Sequence, residues 1–244
     1  MASNSWPAVI LIDLDNTLHD FRIGSARARG AFADYIERSF GVPRDVVLAR
    51  YDKLAIKEQP IAVDGRAARL ARLRQLCSSW PQTARVDLDA LVEVLDQTVV
   101  DNIVMYSEVA EAVEQLHAEA RLMIVTEGYA DTQKAVIDRL GPAVAKCELL
   151  ATRAKGVSKA NGSAYRLAAH LLDSPPESML MIGDNWEWDV VAAAATGLWQ
   201  VWVSTADEPV ARLPSRYLGK IPSISNAVER LSAWRARVQA TLRA

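Results

Sequence analysis

The chain has 244 residues, of which 50% are hydrophobic and 24% are charged, so it can bury a full core and is not a disordered tail. Its formal net charge of −2 provides no field that would attract a nucleic acid polymer or an anionic membrane, and we expect neither as a partner. The two cysteines, Cys77 and Cys147, form no C-x-x-C pair, which argues against a disulfide framework and fits a reducing compartment.

The first apolar run, residues 8–12, has no basic residue before it and is ended by Asp13. This pattern is not that of a signal peptide or of a transmembrane helix. The sequence therefore predicts a soluble, cytoplasmic protein.

Five short apolar runs predict strands that are buried on both faces, because hydrophobic and polar residues do not alternate within them. The runs are residues 8–14, 122–126, 147–150, 179–183 and 199–203. Helical spacing separates the later runs, as in Val109, Val113 and Leu116, and we predict further helices at residues 189–196 and 226–238. The pattern indicates an α/β fold with a Rossmann-like parallel sheet as its core.

A long segment with helical spacing separates the first two predicted strands. Its predicted helices are residues 25–40, 45–57, 65–78 and 88–102, with a break at Gln59-Pro60 between the second and the third. One crossover connection needs far fewer residues. We therefore predict an inserted α-helical cap domain over residues 21–105 and a catalytic core formed by residues 1–20 and 106–244.

Polar side chains follow three of the predicted strands. Asp13 and Asp15 come after the first strand, Thr126 ends the second and Asp184 follows the fourth. The carboxyl ends of strands in an open α/β sheet form the ligand crevice. Three carboxylates that converge there need a cation, and oxygen ligands without paired His or Cys favour magnesium.

The same residues carry a family resemblance. Residues 13–17 read D-L-D-N-T, Thr126 ends a strand, Lys159 lies in G-V-S-K, and residues 183–189 read G-D-N-W-E-W-D. Four motifs in this order, with a long helical insert after the first, make a specific signal. The chain resembles the haloacid dehalogenase superfamily, in its phosphatase branch with a helical cap of the first type.

The resemblance implies a magnesium-dependent phosphatase that acts on a small phosphomonoester. Asp13 would attack phosphorus and form an aspartyl-phosphate. Asp15 would protonate the leaving alkoxide and then activate water. The dehalogenases that resemble this sequence lack the second Asp, so Asp15 favours the phosphatase branch. Nucleoside monophosphates, sugar phosphates and phosphoglycolate-like compounds are all candidate substrates.

The resemblance also implies roles for the other motif residues. The phosphate would be bound by Asn16, Thr17, Thr126, Glu127 and Lys159. Lys159 would also be catalytic, and Asn16 and Thr17 would offer backbone N–H groups. The magnesium ion would be held by Asp13, Asp184 and the backbone carbonyl of Asp15. Asn185 and Asp189 would support those ligands.

The chain departs from the family pattern after Thr126 and after Lys159. Glu127 stands where an Asn is common, and a carboxylate about 6 Å from a phosphate would cost on the order of 3 kcal/mol. We expect its side chain to point away, to pair with a cation or to shape specificity. Ala160 replaces the usual Pro and changes only the local stiffness of the backbone.

Other polar residues have simpler interpretations. The three histidines, His19, His117 and His170, share no metal-ligand spacing and are expected at the surface or in the core, although His19 lies close to the nucleophile. The cap arginines, among them Arg66, Arg69, Arg72 and Arg74, are expected on a solvated helix face.

Two further functions stay open from the sequence. A phosphomutase of the same branch would return the phosphoryl group to a sugar instead of water. A binding or regulatory module would keep the fold without turnover, and Glu127 is the residue that motivates this alternative.

Overall fold

The computed structural model of the protein describes residues 6–56, 64–209 and 212–243. The strands are β1 (Val9–Ile12), β2 (His19–Asp20), β3 (Val104–Met105), β4 (Arg121–Thr126), β5 (Glu148–Ala151), β6 (Met179–Gly183), β7 (Trp199–Val203) and β8 (Tyr217–Ile221). The α-helices are α1 (Phe21–Phe40), α2 (Arg44–Ile56), α3 (Gly65–Cys77), α4 (Leu88–Asp101), α5 (Val109–Glu119), α6 (Ala130–Leu140), α7 (Pro142–Ala145), α8 (Ser163–Leu171), α9 (Ala193–Ala195) and α10 (Ala227–Arg243).

Six of the described strands form one parallel sheet in the order β5-β4-β1-β6-β7-β8. Strand β1 lies inside the sheet, and Ile12 at its end aligns with Ile124 of β4 and with Ile182 of β6. The side chains that follow these three strands therefore meet at one edge. The prediction of a parallel α/β sheet is confirmed.

Each face of the sheet is covered by helices, which explains why the strands are apolar throughout. Ile10 and Ile12 of β1 belong to a buried cluster that includes side chains of α5 and α10. Val9 and Leu11 belong to a second cluster on the opposite face, with Tyr165 of α8. Alternate residues of one strand thus face two different helical layers.

The sequence did not predict strand β8. Its residues 217–221 read Y-L-G-K-I, so a glycine with a φ of +127° and a lysine interrupt the apolar run. The predicted helix at residues 189–196 also differs from the structure. A π-helix, Trp186–Ala192, begins earlier and is followed by the short α9, because the side chain of Asn185 accepts a hydrogen bond from the backbone N–H of Trp188 and starts the helix there.

Helices α1 to α4 lie between β2 and β3, which pair antiparallel. They have a separate buried cluster, which includes Phe32, Ile36 and Leu76. The structure begins α1 at Phe21, four residues before the predicted start, since the side chain of Asp20 caps it. Lys57 and the predicted Gln59-Pro60 break lie outside the described residues.

In the described part of the chain, no helix combines the length and the hydrophobicity that a bilayer crossing requires.

Candidate active site

A small cavity of about 130 Å³ opens at the carboxyl ends of β1, β4 and β6. It is lined by Asp13, Asp15, Asn16, Thr126, Glu127, Lys159, Asp184, Asn185 and Trp188. Thr17 and Asp189 lie behind this wall, fully buried, and contact residues of the cavity. The structure thus brings together all the residues that the sequence motifs selected.

The Asp13 carboxylate is held at both oxygens. Lys159 Nζ lies 2.5 Å from Oδ1, and the Thr17 hydroxyl donates a hydrogen bond to Oδ2 over 3.1 Å. Burial raises the pKa of Asp13, and the ammonium of Lys159 opposes that rise. The side chain is therefore fixed in direction.

Lys159 is a buried cation between two carboxylates. Its side chain is 2% exposed, and Nζ also lies 2.8 Å from Oδ1 of Asp189. Burial alone would lower the pKa of Lys159, but Asp13 and Asp189 together raise it above its ordinary value. The lysine therefore stays charged, and its position depends on Asp189.

The other hydrogen bonds of Asp189 show that it supports Lys159. Its oxygens accept from the backbone N–H of Asn185 at 3.0 Å and from the Tyr165 hydroxyl at 3.3 Å. The Asp189 carboxylate therefore makes its hydrogen bonds to other residues of the protein. Asp13 and Asp184, in contrast, line the cavity.

The cluster of carboxylates fits a magnesium ion. Oxygens of Asp13, Asp184 and Asp189 lie within 4.8 Å of one another. Burial, and then the charge of Asp189, raise the pKa of Asp184 to about 6. One lysine neutralises only part of the repulsion between these carboxylates. Carboxylate oxygens are hard donors, which Mg²⁺ prefers. Of these residues, Asp13 and Asp184 have the access that a metal ligand needs.

Asp15 is held by two residues to which the sequence assigned no role. His19, fully buried, is hydrogen-bonded through Nε2 to Oδ1 of Asp15 at 3.0 Å. The Gln133 side chain of α6 donates to Oδ2 at 3.4 Å. A Cβ at position 128 would lie 2.1 Å from Gln133 Nε2, so Gly128 leaves room for this contact.

The turn after Asp13 corrects one prediction. The backbone N–H of Asn16 donates to the carbonyl of His19 at 2.8 Å, and that of Thr17 donates to Leu14 at 3.4 Å. These N–H groups close the turn, so they do not point to a phosphate. Thr17 contributes its hydroxyl to Asp13 instead.

The side chain of Glu127 points towards the loop that carries Lys159. It accepts hydrogen bonds from the hydroxyls of Thr152 and Ser158, at 3.2 and 3.0 Å, and from the backbone N–H of Lys159. Of the three alternatives for Glu127, the structure shows the first: its side chain points away from the position expected for the phosphate. No ion pair of Glu127 is seen among the described residues.

The two tryptophans of the fourth motif have different environments. Trp186 is buried and packs edge-on against Trp202 and Tyr217, with ring centroids 5.1 and 5.5 Å away. The indole N–H of Trp202 donates to the carbonyl of Asp184 at 2.8 Å, so this cluster supports the acidic residue. Trp188 is 39% exposed and lines the cavity.

A second cavity, of about 440 Å³, lies between the cap helices and α6. Arg66, Arg69 and Arg72 line it, whereas the sequence favoured a solvated face for them. Asp131 of α6 accepts hydrogen bonds from the N–H groups of Gly65 and Arg66 and so docks α3 on the core, which leaves the side chains of Arg66 and Arg69 40% and 26% exposed. Arg74 is exposed, as expected.

Solved structures share this fold. A 2-haloacid dehalogenase from Pseudomonas syringae pv. tomato is 21% identical, with a TM-score of 0.70 over 93% of this chain and 98% of that chain. An HAD phosphatase from Thermococcus onnurineus is 16% identical, with a TM-score of 0.67 over 91% and 97%. A putative HAD-hydrolase from Bacillus subtilis, bound to magnesium, is 17% identical, with a TM-score of 0.66 over 93% and 99%.

A comparison with curated proteins gave no match. The sequence model of the haloacid dehalogenase-like hydrolases matches residues 7–197, which is most of the chain and includes every motif described above. The resemblance seen in the sequence is thereby confirmed, and the chain belongs to the haloacid dehalogenase-like hydrolases.

Proposed function

We propose that the protein is a magnesium-dependent phosphatase that hydrolyses a small phosphomonoester. The position of Asp15 carries the proposal: its carboxylate lies in the same cavity as Asp13 and is oriented by His19 and Gln133. A departing alkoxide needs a proton, which Asp15 supplies. A halide leaves as a stable anion, so a dehalogenase would have no use for this residue.

The positions of the side chains support the following reaction. Asp13 attacks phosphorus while Lys159 and Thr126 hold the phosphoryl oxygens, and the bond from phosphorus to the ester oxygen breaks. Asp15 gives its proton to that oxygen. It then takes a proton from water, which attacks phosphorus, breaks the bond to Asp13 and releases inorganic phosphate.

Asp13, Asp184 and the backbone carbonyl of Asp15 would hold the magnesium ion, with Asn185 and Asp189 as supporting residues. When bound, the ion supplies positive charge that offsets the charge of the phosphoryl group. Phosphate release from a panel of nucleotides, sugar phosphates and small phosphoacids tests the proposal. Absence of release from every compound with magnesium present would contradict it.

Magnesium is expected to raise the melting temperature of the wild type by about 5 °C or more at a concentration a hundredfold above its Kd. We expect Asp184→Asn to abolish this shift. In metal-free protein the same variant should be more stable than the wild type above pH 6. The pKa of Asp184 rises from 3.8 to about 6 on folding, so its ionised form costs stability as the pH increases through that window.

Differential scanning calorimetry between pH 4 and 8, with magnesium and with chelator, measures both effects. The metal-free gain is expected to be on the order of 1 kcal/mol, because Asp184 is partly exposed. An Asp184→Asn protein that keeps the full magnesium shift would exclude Asp184 as a ligand.

We propose that the leaving group of the substrate extends to the cavity between cap and core, whose lining residues are separate from those of the Asp13 cavity. Arg72 lies in its wall, with its guanidinium 4.0 Å from the centre of the Tyr51 ring. Arg66 and Arg69 pair with cap carboxylates, whereas no carboxylate partner of Arg72 is seen in the described ranges. Its Nε is buried without a hydrogen-bond partner there. An anionic substituent on the leaving group would satisfy this cation.

Arg72→Gln is expected to raise the KM for phosphoglycolate about tenfold and to leave that for hydroxyethyl phosphate unchanged, because only the first has a carboxylate to pair. Steady-state kinetics on both esters measures the difference. Arg74→Gln is the matched control, since Arg74 is exposed on the same helix. Equal effects of Arg72→Gln on the two esters would exclude an anion contact.

A further inference from the structure

Glu127 joins the end of β4 to the loop between β5 and α8. Both of its carboxylate oxygens are used: Oε2 accepts from the Thr152 hydroxyl, and Oε1 accepts from Ser158 Oγ and from the backbone N–H of Lys159. Thr152 is fully buried, and Ser158 is partly buried. One side chain therefore binds both ends of the segment 152–159.

That segment needs external support because little regular structure fixes it. After a single 3₁₀ turn, Arg153–Lys155, the chain continues without strand or helix to Ser163, and residues 153–156 are exposed. Lys159 nevertheless has to enter a buried position with its Nζ 2.5 Å from Asp13. The backbone N–H of Lys159, from which Glu127 accepts a hydrogen bond, fixes the loop at the residue whose ammonium pairs with Asp13 and Asp189.

The contacts also explain how a carboxylate is tolerated beside a phosphate site. Three donors neutralise part of its charge, and an ionised carboxylate can accept all three because it has only acceptor positions. The carboxylate contacts the backbone N–H of Lys159 and not the carboxylates of Asp13 and Asp15. An asparagine is one methylene shorter, so it does not reach the same donors.

We infer that Glu127 is a positioning residue for Lys159: it holds the loop so that the ammonium lies between Asp13 and Asp189, where it can also hold a phosphoryl oxygen. The inference rests on the proposed function. The inference extends the proposed function, because it gives the side chain of Glu127 a role that acts through hydrogen bonds and not through charge.

Three variants test this role. Glu127→Ala removes every acceptor, and we expect it to lower kcat for a phosphomonoester about tenfold or more and to weaken the binding of inorganic phosphate about tenfold. Glu127→Gln keeps an oxygen for Ser158 and Lys159, and its amide can donate to the Thr152 hydroxyl. It should recover kcat and phosphate binding to within about threefold of the wild type.

The matched control is Glu187→Ala, since Glu187 is an exposed glutamate close in sequence to Asp184. Titration calorimetry with inorganic phosphate and magnesium measures binding without turnover, and the melting temperature shows that each variant is folded. Phosphate binding that falls in Glu127→Ala and returns in Glu127→Gln supports the inference. If no ester is hydrolysed at the same time, that result counts against the proposed function alone.

Two results would overturn the inference. Glu127→Ala could retain wild-type kcat and phosphate affinity, which would show that the loop does not depend on the side chain. Alternatively, Glu127→Gln could lose as much as Glu127→Ala, which would show that charge and not hydrogen bonding is required.

Discussion

Asp13→Asn is expected to reduce phosphate release by about 10⁴-fold, because an amide cannot take the place of the attacking carboxylate. The loss should come from chemistry and not from folding. Burial raises the pKa of Asp13, so a neutral side chain of the same size is tolerated there, and Lys159 keeps Asp189 as its partner. We expect the melting temperature to stay within a few degrees of the wild type.

The measurement is phosphate release at saturating magnesium, with the folded state of the variant checked by its melting temperature. Asp138→Asn provides a control, because Asp138 is an exposed aspartate on α6 that pairs with Lys134. Activity of Asp13→Asn above one hundredth of the wild type would show that another group attacks phosphorus.

Lys159→Met is expected to lose stability as well as activity. The lysine is 2% exposed and lies between two buried carboxylates, so its removal leaves Asp13 and Asp189 unpaired. Breaking a buried ion pair at one partner costs about 3–5 kcal/mol. We expect a loss of this size near pH 7, and a smaller loss at acidic pH, because burial raises the pKa of Asp13 and a protonated Asp13 needs no cation.

Urea unfolding of Lys159→Met measures the stability, and Lys155→Met, in the exposed part of the same loop, is the control. The control should unfold with the wild type. A Lys159→Met protein whose free energy of unfolding lies within about 1 kcal/mol of the wild type would contradict the account of a charged lysine that neutralises the site.

The residues at the strand ends were predictable because the apolar runs predicted a parallel sheet. Once residues 8–14 and 179–183 are identified as parallel strands, Asp13 and Asp184 must lie at the same edge. Lys159 is different, since it lies in a loop without periodicity, and only the family motif selected it. The strand Tyr217–Ile221 was missed because Gly219 and Lys220 break its apolar pattern.

The residues that contact Asp15 and Lys159 were harder to predict. Gln133 lies 118 residues from Asp15 in the sequence, and only the packing of α6 brings them together. His19 is four residues from Asp15, and a turn at that spacing could have suggested the contact. The direction of Glu127 depends on a loop that the sequence does not specify.

Glu127 was the reason to consider a module without turnover. Its side chain supports the loop of Lys159 and leaves Asp13 and Asp15 undisturbed in their cavity. The substitution is therefore compatible with the catalytic arrangement that we propose.

Structural similarity does not choose between the reactions of this family. The dehalogenase and the phosphatase among the neighbours have TM-scores of 0.70 and 0.67, which are nearly equal. The choice depends on Asp15 and on the acidic cluster around Asp184.

The most direct test is a single turnover in H₂¹⁸O with enzyme in excess over a phosphomonoester. We expect one ¹⁸O atom in the released phosphate and none in the Asp13 side chain, because water attacks phosphorus. A dehalogenase reaction would instead place ¹⁸O in the Asp13 carboxylate: Asp13 displaces the halide from a haloacid and forms an ester, and water then attacks the Asp13 carbonyl carbon of that ester. Label in Asp13, with halide released from a haloacid and no phosphate from any ester, would contradict the account.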